Sequence, residues 1–297
     1  MVKNMKDKIM GYLKKLFKIL KKPEMAILPA NIAFYIILAI IPLLTVVVFL
    51  ASTFDISIDM VTNLIDNIMP NQVSEVINEV ISGKGIDKKI GLFNILAFIL
   101  ASNGTYAIIT TSDILYKIKN PDLLRKRISS FVLLLIIIIL FVFLMIVPLF
   151  GENILNLISS AKIFENHIED IIKIFNLIKW PLTILIIYLN IKLIYTVAPS
   201  NKIKSEETTY GAIFTTFVWL IATLIFRFYL EYFAKYDILY GSLSSIIIMM
   251  VWVYFLSYIF VFGMAINVSR KEEQQLLEEQ LKIEEEKKNK KRKKGKQ

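Results

Sequence analysis

Cysteine is absent from this 297-residue chain, and histidine occurs only once, as His167. Without cysteine the chain can form no disulfide and no thiolate metal site, and it has no cysteine nucleophile. Metal-dependent hydrolysis of RNA needs a cluster of histidine and acidic ligands, and no such spacing surrounds His167. We therefore expect no metal ion and no other cofactor, and we interpret His167 as a solvated residue of a loop.

Glycine-rich phosphate-binding loops are also missing. The glycines stand singly or in the GKG at 83–85, which matches neither a P-loop nor a dinucleotide-binding fingerprint. No serine lies in a G-x-S-x-G elbow of the kind that hydrolases use. These absences predict that the chain is not an enzyme, and that an ATP-driven activity would need a partner subunit.

Hydrophobic residues are abundant, at 56% of the chain. A soluble protein of this size could hardly bury so many, so the composition predicts a polytopic membrane protein of the all-α class. We divide the chain into a basic amphipathic leader (1–24), a six-span membrane helical bundle (25–269) and a charged tail (270–297). The predicted transmembrane helices are at about 29–53, 90–116, 128–150, 181–198, 208–233 and 240–267.

The distribution of basic residues predicts the orientation of the bundle. The leader carries eight basic residues, the two predicted inner loops seven and the tail eleven, whereas the three outer loops together carry seven. By the positive-inside rule both termini are expected in the cytosol, and the protein is expected to be a multi-pass membrane protein. The loops at 55–89 and 151–178 then lie outside, where their apolar spacing predicts amphipathic helices.

Both ends of the chain are rich in lysine and are predicted to contact membrane lipids of the anionic inner leaflet. One face of the leader carries apolar side chains at Ile9, Leu13, Leu16, Phe17 and Leu20. Spacing of Glu and Lys in the tail favours a helical extension of the sixth span to about Lys288. We expect no nucleic acid as a partner, while a homo-oligomer and protein partners stay open.

Polar residues inside the predicted spans form a candidate substrate path. Such residues either form hydrogen bonds between helices or line a route through the membrane. We favour the first interpretation for Asn103 and Asn190 and leave the tyrosine stripe of the last span open. Arg227 and Glu231 form either a substrate site or a pair that reaches the outer interface. The candidate residues are Tyr35, Pro42, Asn103, Asn190, Arg227, Glu231, Tyr254, Ser257 and Tyr258.

The segment PANIAFYIILAIIPLLTVVVFL (29–50) contains Ala30, Ala33, Phe34, Tyr35, Leu38, Pro42, Leu43 and Leu44. Through these residues it resembles the opening span of the YihY/BrkB virulence-factor family of bacterial membrane proteins, which implies a location in the bacterial plasma (inner) membrane. The last span is similar at Tyr240, Gly241, Ser242, Leu243, Trp252, Tyr254, Gly263 and Asn267, and a shorter match includes Gly211, Ala212 and Trp219. The resemblance covers about 25–269 and implies a membrane helical bundle.

Two features limit what this resemblance implies. The family usually carries an acidic residue two places after the last glycine. In this chain the last glycine of the motif is Gly263, and Ala265 occupies the position of the acidic residue. The family's older label, ribonuclease BN, implies an activity for which the chain lacks the metal ligands.

Taken together, the sequence predicts a transporter or a flippase- or scramblase-like protein for an amphiphilic or lipid-linked substrate of the cell envelope. The alternatives are a non-transporting membrane scaffold that acts through the charged tail, and a small-solute channel.

Overall fold

The computed structural model describes residues 14, 17–53, 59, 62–63, 66, 71–82, 91–119, 121–140, 168–232 and 243–294. All regular structure in these ranges is helical, which confirms the predicted all-α class. The helices are α1 (Glu24–Thr53), α2 (Asn71–Ser82), α3 (Gly91–Leu115), α4 (123–140), α5 (Ile168–Val197), a 3-10 helix (Ser205–Thr208), α6 (Thr209–Tyr232) and α7 (Ser244–Lys294).

Some predicted features lie outside the described residues. These are most of the leader helix, most of the first amphipathic segment of the 55–89 loop, the predicted third span beyond residue 140, and the loop from 151 to 167. In the described part of the leader, Ile19 packs in the core and Phe17 is exposed, although we predicted that Phe17 belongs to the apolar face.

Four helices agree closely with the sequence prediction. α3 and α6 begin and end within a residue or two of the predicted second and fifth spans. α2 is the predicted amphipathic helix that stops before Gly83, and α7 begins at Ser244 and includes 244–267 of the predicted sixth span. The predicted extension of that span into the tail is also confirmed, because α7 continues to Lys294 over 51 residues.

The predicted start of the fourth span is wrong. We expected Trp180 and Pro181 to open the helix, but α5 begins at Ile168 and continues through Pro181 to Val197. The apolar periodicity that we assigned to a separate outer helix is therefore the first part of α5. A proline inside a long apolar helix removes one backbone donor without ending the helix, a loss that membrane helices tolerate. Thirty residues span about 45 Å, longer than a hydrocarbon core of about 30 Å.

Two helices among the described residues are long and apolar enough to cross a membrane, within Ser205–Tyr232 and Ser244–Ile283. Shorter apolar helices occupy Glu24–Ile40 and Pro181–Val197. Many large hydrophobic side chains on α4, α5 and α6 are exposed, which is the pattern of helices that face lipid.

Helix α7 lies against α1, α2, α3 and α6, while α1 also packs on α3 and α6 on α5. Helix α3 buries the polar residues Ser102, Thr105, Thr111, Ser112 and Asp113, as a helix in the interior of a bundle does. The main core joins α1, α3, α5, α6 and α7 through side chains that include Met25, Ile32, Ile109, Ile191, Tyr195, Ala212, Val261 and Met264.

The contact between α6 and α7 depends on two glycines. The amide of Gly211 donates to Asn267 Oδ1 at 2.6 Å, and four residues later Thr215 lies against Gly263. A further turn along, Trp219 Nε1 donates to the carbonyl of Leu256 at 2.8 Å. Gly263 and Asn267 therefore make a close contact with α6.

Tyr195 connects α5 to the same contact. Its hydroxyl donates to the carbonyl of Phe260 at 2.6 Å and lies 2.7 Å from Thr215 Oγ1. A phenol has only one hydrogen to donate, so Thr215 donates to Tyr195. Tyr195 is fully buried, and its hydroxyl thus joins three helices in the interior, where an unpaired hydroxyl would be costly.

Replacing Gly263 with alanine should destabilise the bundle. A Cβ at this position would overlap Thr215 Oγ1 and lie 2.6 Å from the Tyr195 hydroxyl and 2.9 Å from the Gly211 carbonyl. Because backbone must move, we expect a loss of about 1–3 kcal/mol, measured by thermal or denaturant unfolding in detergent.

Gly104→Ala is the matched control. A Cβ on Gly104 would meet the Tyr35 carbonyl at 3.6 Å and Ala39 Cβ at 3.7 Å, both ordinary contacts. Its stability should be unchanged or slightly higher, because alanine favours helix. Equal loss in the two variants would contradict the assigned helix contact.

Candidate functional site

Asp113 is the centre of a buried polar cluster at one end of the bundle. Its carboxylate lies 3.2 Å from Lys126 Nζ on α4, and both side chains are almost completely buried. The backbone amide of Ser200 donates to Asp113 Oδ1 at 2.9 Å, and the Ser200 hydroxyl donates to Oδ2 at 2.8 Å. Asp113 thereby joins α3, α4 and the segment after α5.

The position of Asp113 is unfavourable for a lone carboxylate. It lies in the last turn of α3, where the helix dipole presents its negative end. Burial adds a desolvation cost that only a paired and hydrogen-bonded charge can offset. Lys126 and Ser200 supply those partners, so the three groups form one unit.

The chain turns sharply after α3 and brings Lys117 to α7. The amide of Ile118 donates to the Asp113 carbonyl and that of Lys117 to the Ile114 carbonyl, and Lys117 has a φ of 54°. These hydrogen bonds are typical of an α-helix whose C-terminus is followed by a residue in the left-handed conformation. That conformation has an energetic cost for a residue other than glycine. The Lys117 ammonium binds Glu272 at 2.7 Å, and this hydrogen bond raises the pKa of Lys117.

A second basic residue at the start of α4, Arg127, contacts α3 at a different level of the α3–α4 hairpin. Arg127 donates to Asn103 Oδ1 at 2.9 Å, and its guanidinium lies 4.9 Å from the ring centre of Phe131 and 5.9 Å from that of Tyr106. Thr105 Oγ1 donates to the Ser130 carbonyl at 2.6 Å between these levels. Asn103 thus takes part in a contact between helices.

A cavity of about 540 Å³ opens beside the Asp113 cluster. It lies between the start of α4 and the connection from α5 to α6, and it has the size of a small-molecule site. Lys126 and Ser200 form part of its wall, whereas Asp113 lies behind them and fixes both. The side chains around it include Lys119, Asp122, Arg125, Ser129, Thr196, Val197, Asn201 and Lys202.

A smaller cavity of about 370 Å³ adjoins the first and shares Ile118, Asn201, Lys202 and Ile203 with it. Its other wall is α7, through Val268, Lys271, Glu272 and Gln275. Lys271 binds Glu207 at 2.8 Å and lies 5.8 Å from the Tyr116 ring centre. The start of the tail is therefore part of this end of the bundle.

The structure distributes the predicted path residues over several places. Tyr35 and Tyr258 pack against the core, Ser257 is buried, and Asn190 is half-buried. Tyr254 is 38% exposed, and its ring is tilted by 56° against that of Tyr258, with ring centres 6.2 Å apart. The backbone of Pro42 belongs to α1, but its side chain lies outside the described part.

Arg227 and Glu231 lie far from the Asp113 cluster. They occupy the last two turns of α6, about 27 Å along the helix from its start beside the cavity. Arg227 is half-buried and Glu231 is exposed. The structure therefore does not bring this pair to the residues around the cavity.

Sequence reasoning missed the partners of Asp113. We identified Asp113 only as the charged residue of the second span and treated Lys126 as a loop charge. A signal was available: one carboxylate near the end of an apolar helix, followed within 13 residues by a basic run, favours pairing across the hairpin. Ser200 carried no comparable signal, because its contact depends on how the chain bends after α5 ends at Val197.

Among the described residues, no group of three or more His, Asp or Glu side chains could hold a metal ion. The side chains around the cavity offer positive charge, one carboxylate, hydroxyl groups and an amide.

Long apolar helices with exposed hydrophobic faces, joined by buried polar contacts, define a helical membrane protein. Residues 16–291 match the family described as virulence factor BrkB, and the chain belongs to that family. No solved structure matches the chain.

Two of the relatives that follow carry names that describe membrane proteins. The ribonuclease-like protein YfkH of Bacillus subtilis is 26% identical over 271 residues, which are 90% of this chain and 98% of that protein. The UPF0761 membrane protein IL2447 of Idiomarina loihiensis is 25% identical over 118 residues, 40% of each chain. A UPF0761 membrane protein of Coxiella burnetii is 34% identical over 88 residues, 27% of this chain and 32% of its own.

Replacing Lys126 with methionine should destabilise the protein strongly, because Asp113 would be left buried without its counter-charge. We expect a loss of about 3–5 kcal/mol in the free energy of unfolding. The double variant Asp113→Asn/Lys126→Met should recover part of this loss, since it removes both charges.

Lys117→Met is the control, because its pair with Glu272 is exposed and should contribute little to stability. Denaturant unfolding in detergent compares the unaltered protein with the single variants Asp113→Asn, Lys126→Met and Lys117→Met and with the double variant. A double variant as unstable as the sum of its single variants would show that the two charges do not act as a pair.

Proposed function

We propose that this protein is a non-enzymatic transporter of the flippase or scramblase kind, and that it moves an amphiphilic or lipid-linked substrate of the cell envelope. The observation that carries the proposal is the cavity beside the Asp113 cluster, which is polar and lies next to lipid-facing helix surface. A polar headgroup can enter such a cavity while its apolar chains stay in the bilayer.

The lipid-facing surface beside the cavity is on α4. Leu124, Ile128, Val132, Leu135 and Ile139 are spaced at three or four residues, share one face and are all exposed. Leu124 and Ile128 alternate with Arg125 and Ser129, which line the cavity. A molecule with one polar and one apolar end would therefore find both surfaces within one helical turn.

The proposal includes six transmembrane helices with both termini in the cytosol of a bacterial plasma membrane, as the basic residues favour. The cavity then lies at the cytosolic end of the bundle, since the loops at 117–127 and 199–207 surround it. Membrane lipids are the proposed partners, through the lysine-rich ends as well as this cavity; we propose no nucleic-acid partner.

Labelling of single cysteines tests the orientation, and the natural chain contributes no cysteine background. Asn71→Cys, at the exposed start of α2, should react with a membrane-impermeant maleimide in intact cells. Asn201→Cys, beside the cavity, should react only after the cells are made permeable. The reverse pattern would contradict the proposed topology.

Reconstitution into liposomes tests transport. The protein should speed the movement of fluorescent phospholipids between leaflets, measured as the fraction that a membrane-impermeant quencher reaches. Ser129→Trp, which fills the cavity, should slow this movement at least about tenfold, a rise of about 1.4 kcal/mol in the barrier. Ile139→Trp, on the lipid-facing side of the same helix, is the matched control and should stay active.

Two outcomes would favour other functions. No movement of any native lipid class would contradict transport of lipids. Loss of cellular function on truncation after Gln275, with lipid movement unaffected, would favour a scaffold that acts through its tail. Truncation at that point keeps the contacts of Lys271 and Glu272 with the bundle.

A further inference from the structure

We propose that the larger cavity binds a phosphate-bearing headgroup, and that Arg125, Lys202 and Lys119 supply its positive charge. This inference deepens the proposed function and rests on it for the amphiphilic nature of the ligand. Binding itself can be measured without transport.

The charge around the cavity is unbalanced. Lys126 is neutralised by Asp113, which lies behind the cavity wall. Among the side chains that line the cavity, the acidic residue is Asp122. Lys119, Arg125 and Lys202 form no ion pair with any described residue. Three cations against one carboxylate leave a local charge near +2, which is close in size to the charge of a phosphate monoester at neutral pH.

The carboxylate of Asp122 already has donors. Its Oδ1 accepts the amides of Leu124 at 3.0 Å and Arg125 at 3.3 Å, so Asp122 caps the start of α4. This contact ties the carboxylate to the helix end, while the guanidinium of Arg125 stays exposed at the cavity. The cationic side chains are therefore free of the intramolecular pairing that would compete with an anion.

The donor set suits phosphate. Arg125 offers the planar pair of N–H groups that binds two phosphate oxygens, and the two lysines add point charges. Ser129 and Asn201 lie around the same cavity and provide further donors for an anion with several oxygens. The buried Asp113–Lys126 pair does not repel an anion in the cavity, because its two charges cancel.

The surroundings favour a lipid headgroup over free phosphate. Leu123, Leu124 and Ile128 at the start of α4 are 69%, 78% and 65% exposed. Side chains of this kind next to a cationic cavity match a ligand whose phosphate is attached to apolar chains. A soluble anion would gain nothing from this surface.

Binding to the detergent-purified full-length protein tests the inference by calorimetry in phosphate-free buffer. The probes are dioctanoyl phosphatidic acid, dioctanoyl phosphatidylcholine and inorganic phosphate. We expect saturable binding of phosphatidic acid, at least about tenfold tighter than phosphatidylcholine, whose headgroup is neutral overall. Arg125→Gln and Lys202→Gln should each weaken it about tenfold, as loss of a charged hydrogen bond predicts.

Lys204→Gln is the matched control, since Lys204 is an exposed lysine in the same connection that does not line the cavity. Its binding should equal that of the unaltered protein. All four side chains are exposed, and unchanged thermal unfolding confirms that each variant is folded. Lys119→Gln provides a second test of the cavity if one of the others does not fold.

The three probes separate the outcomes. Weak inorganic phosphate binding beside tight phosphatidic acid binding supports a lipid headgroup. Equally tight binding of inorganic phosphate that is lost in Arg125→Gln supports the same anion site with a soluble ligand as its source. Phosphatidic acid binding that equals phosphatidylcholine binding, or that is unchanged in both cavity variants, would overturn the inference. Tight binding without lipid movement would overturn only the proposed transport.

Discussion

The buried ion pair between Asp113 and Lys126 is the interaction on which this end of the bundle depends. A carboxylate in the last turn of an apolar helix is stable only with a counter-charge and hydrogen-bond donors close by. Lys126 on α4 and Ser200 after α5 meet both needs, and in doing so they fix the start of α4 against the α5–α6 connection. The cavity lies between these two elements, so its shape follows from how one buried charge is satisfied.

Much of the helical architecture could be predicted from apolar periodicity and the positions of Gly and Pro. α2, α3 and α6 were accessible in this way because their ends coincide with changes in composition. The start of α5 was not, since Pro181 is a strong local signal for a helix start, but continuous apolar packing on both sides of it overrides that signal. Gly263 and Asn267 could be singled out in the sequence of the last span. Their partners Gly211 and Thr215 could be identified only from the way α6 packs against α7.

The candidate site was harder to predict than the fold. A search for polar and charged residues within the predicted spans selected Asn103, Tyr254 and Arg227, which the structure places in different surroundings. Asn103 binds Arg127 across the hairpin, a contact between residues 24 positions apart that no local pattern reveals. The basic residues that line the cavity lie in segments that we predicted as inner loops, and we used them only to assign the orientation of the bundle. These residues can serve both purposes, because the side of the membrane that retains Lys and Arg is also the side where they can meet anionic headgroups.

The most direct test of the whole account is a cryo-EM map of the protein in nanodiscs that contain phosphatidic acid. The account predicts headgroup density within hydrogen-bond distance of Arg125 and Lys202, with acyl chains along Leu124 and Ile128. It also predicts that Asp113 stays paired with Lys126 and Ser200 behind the cavity wall. A map in which the cavity holds no lipid, or in which Asp113 faces the cavity without Lys126, would contradict it.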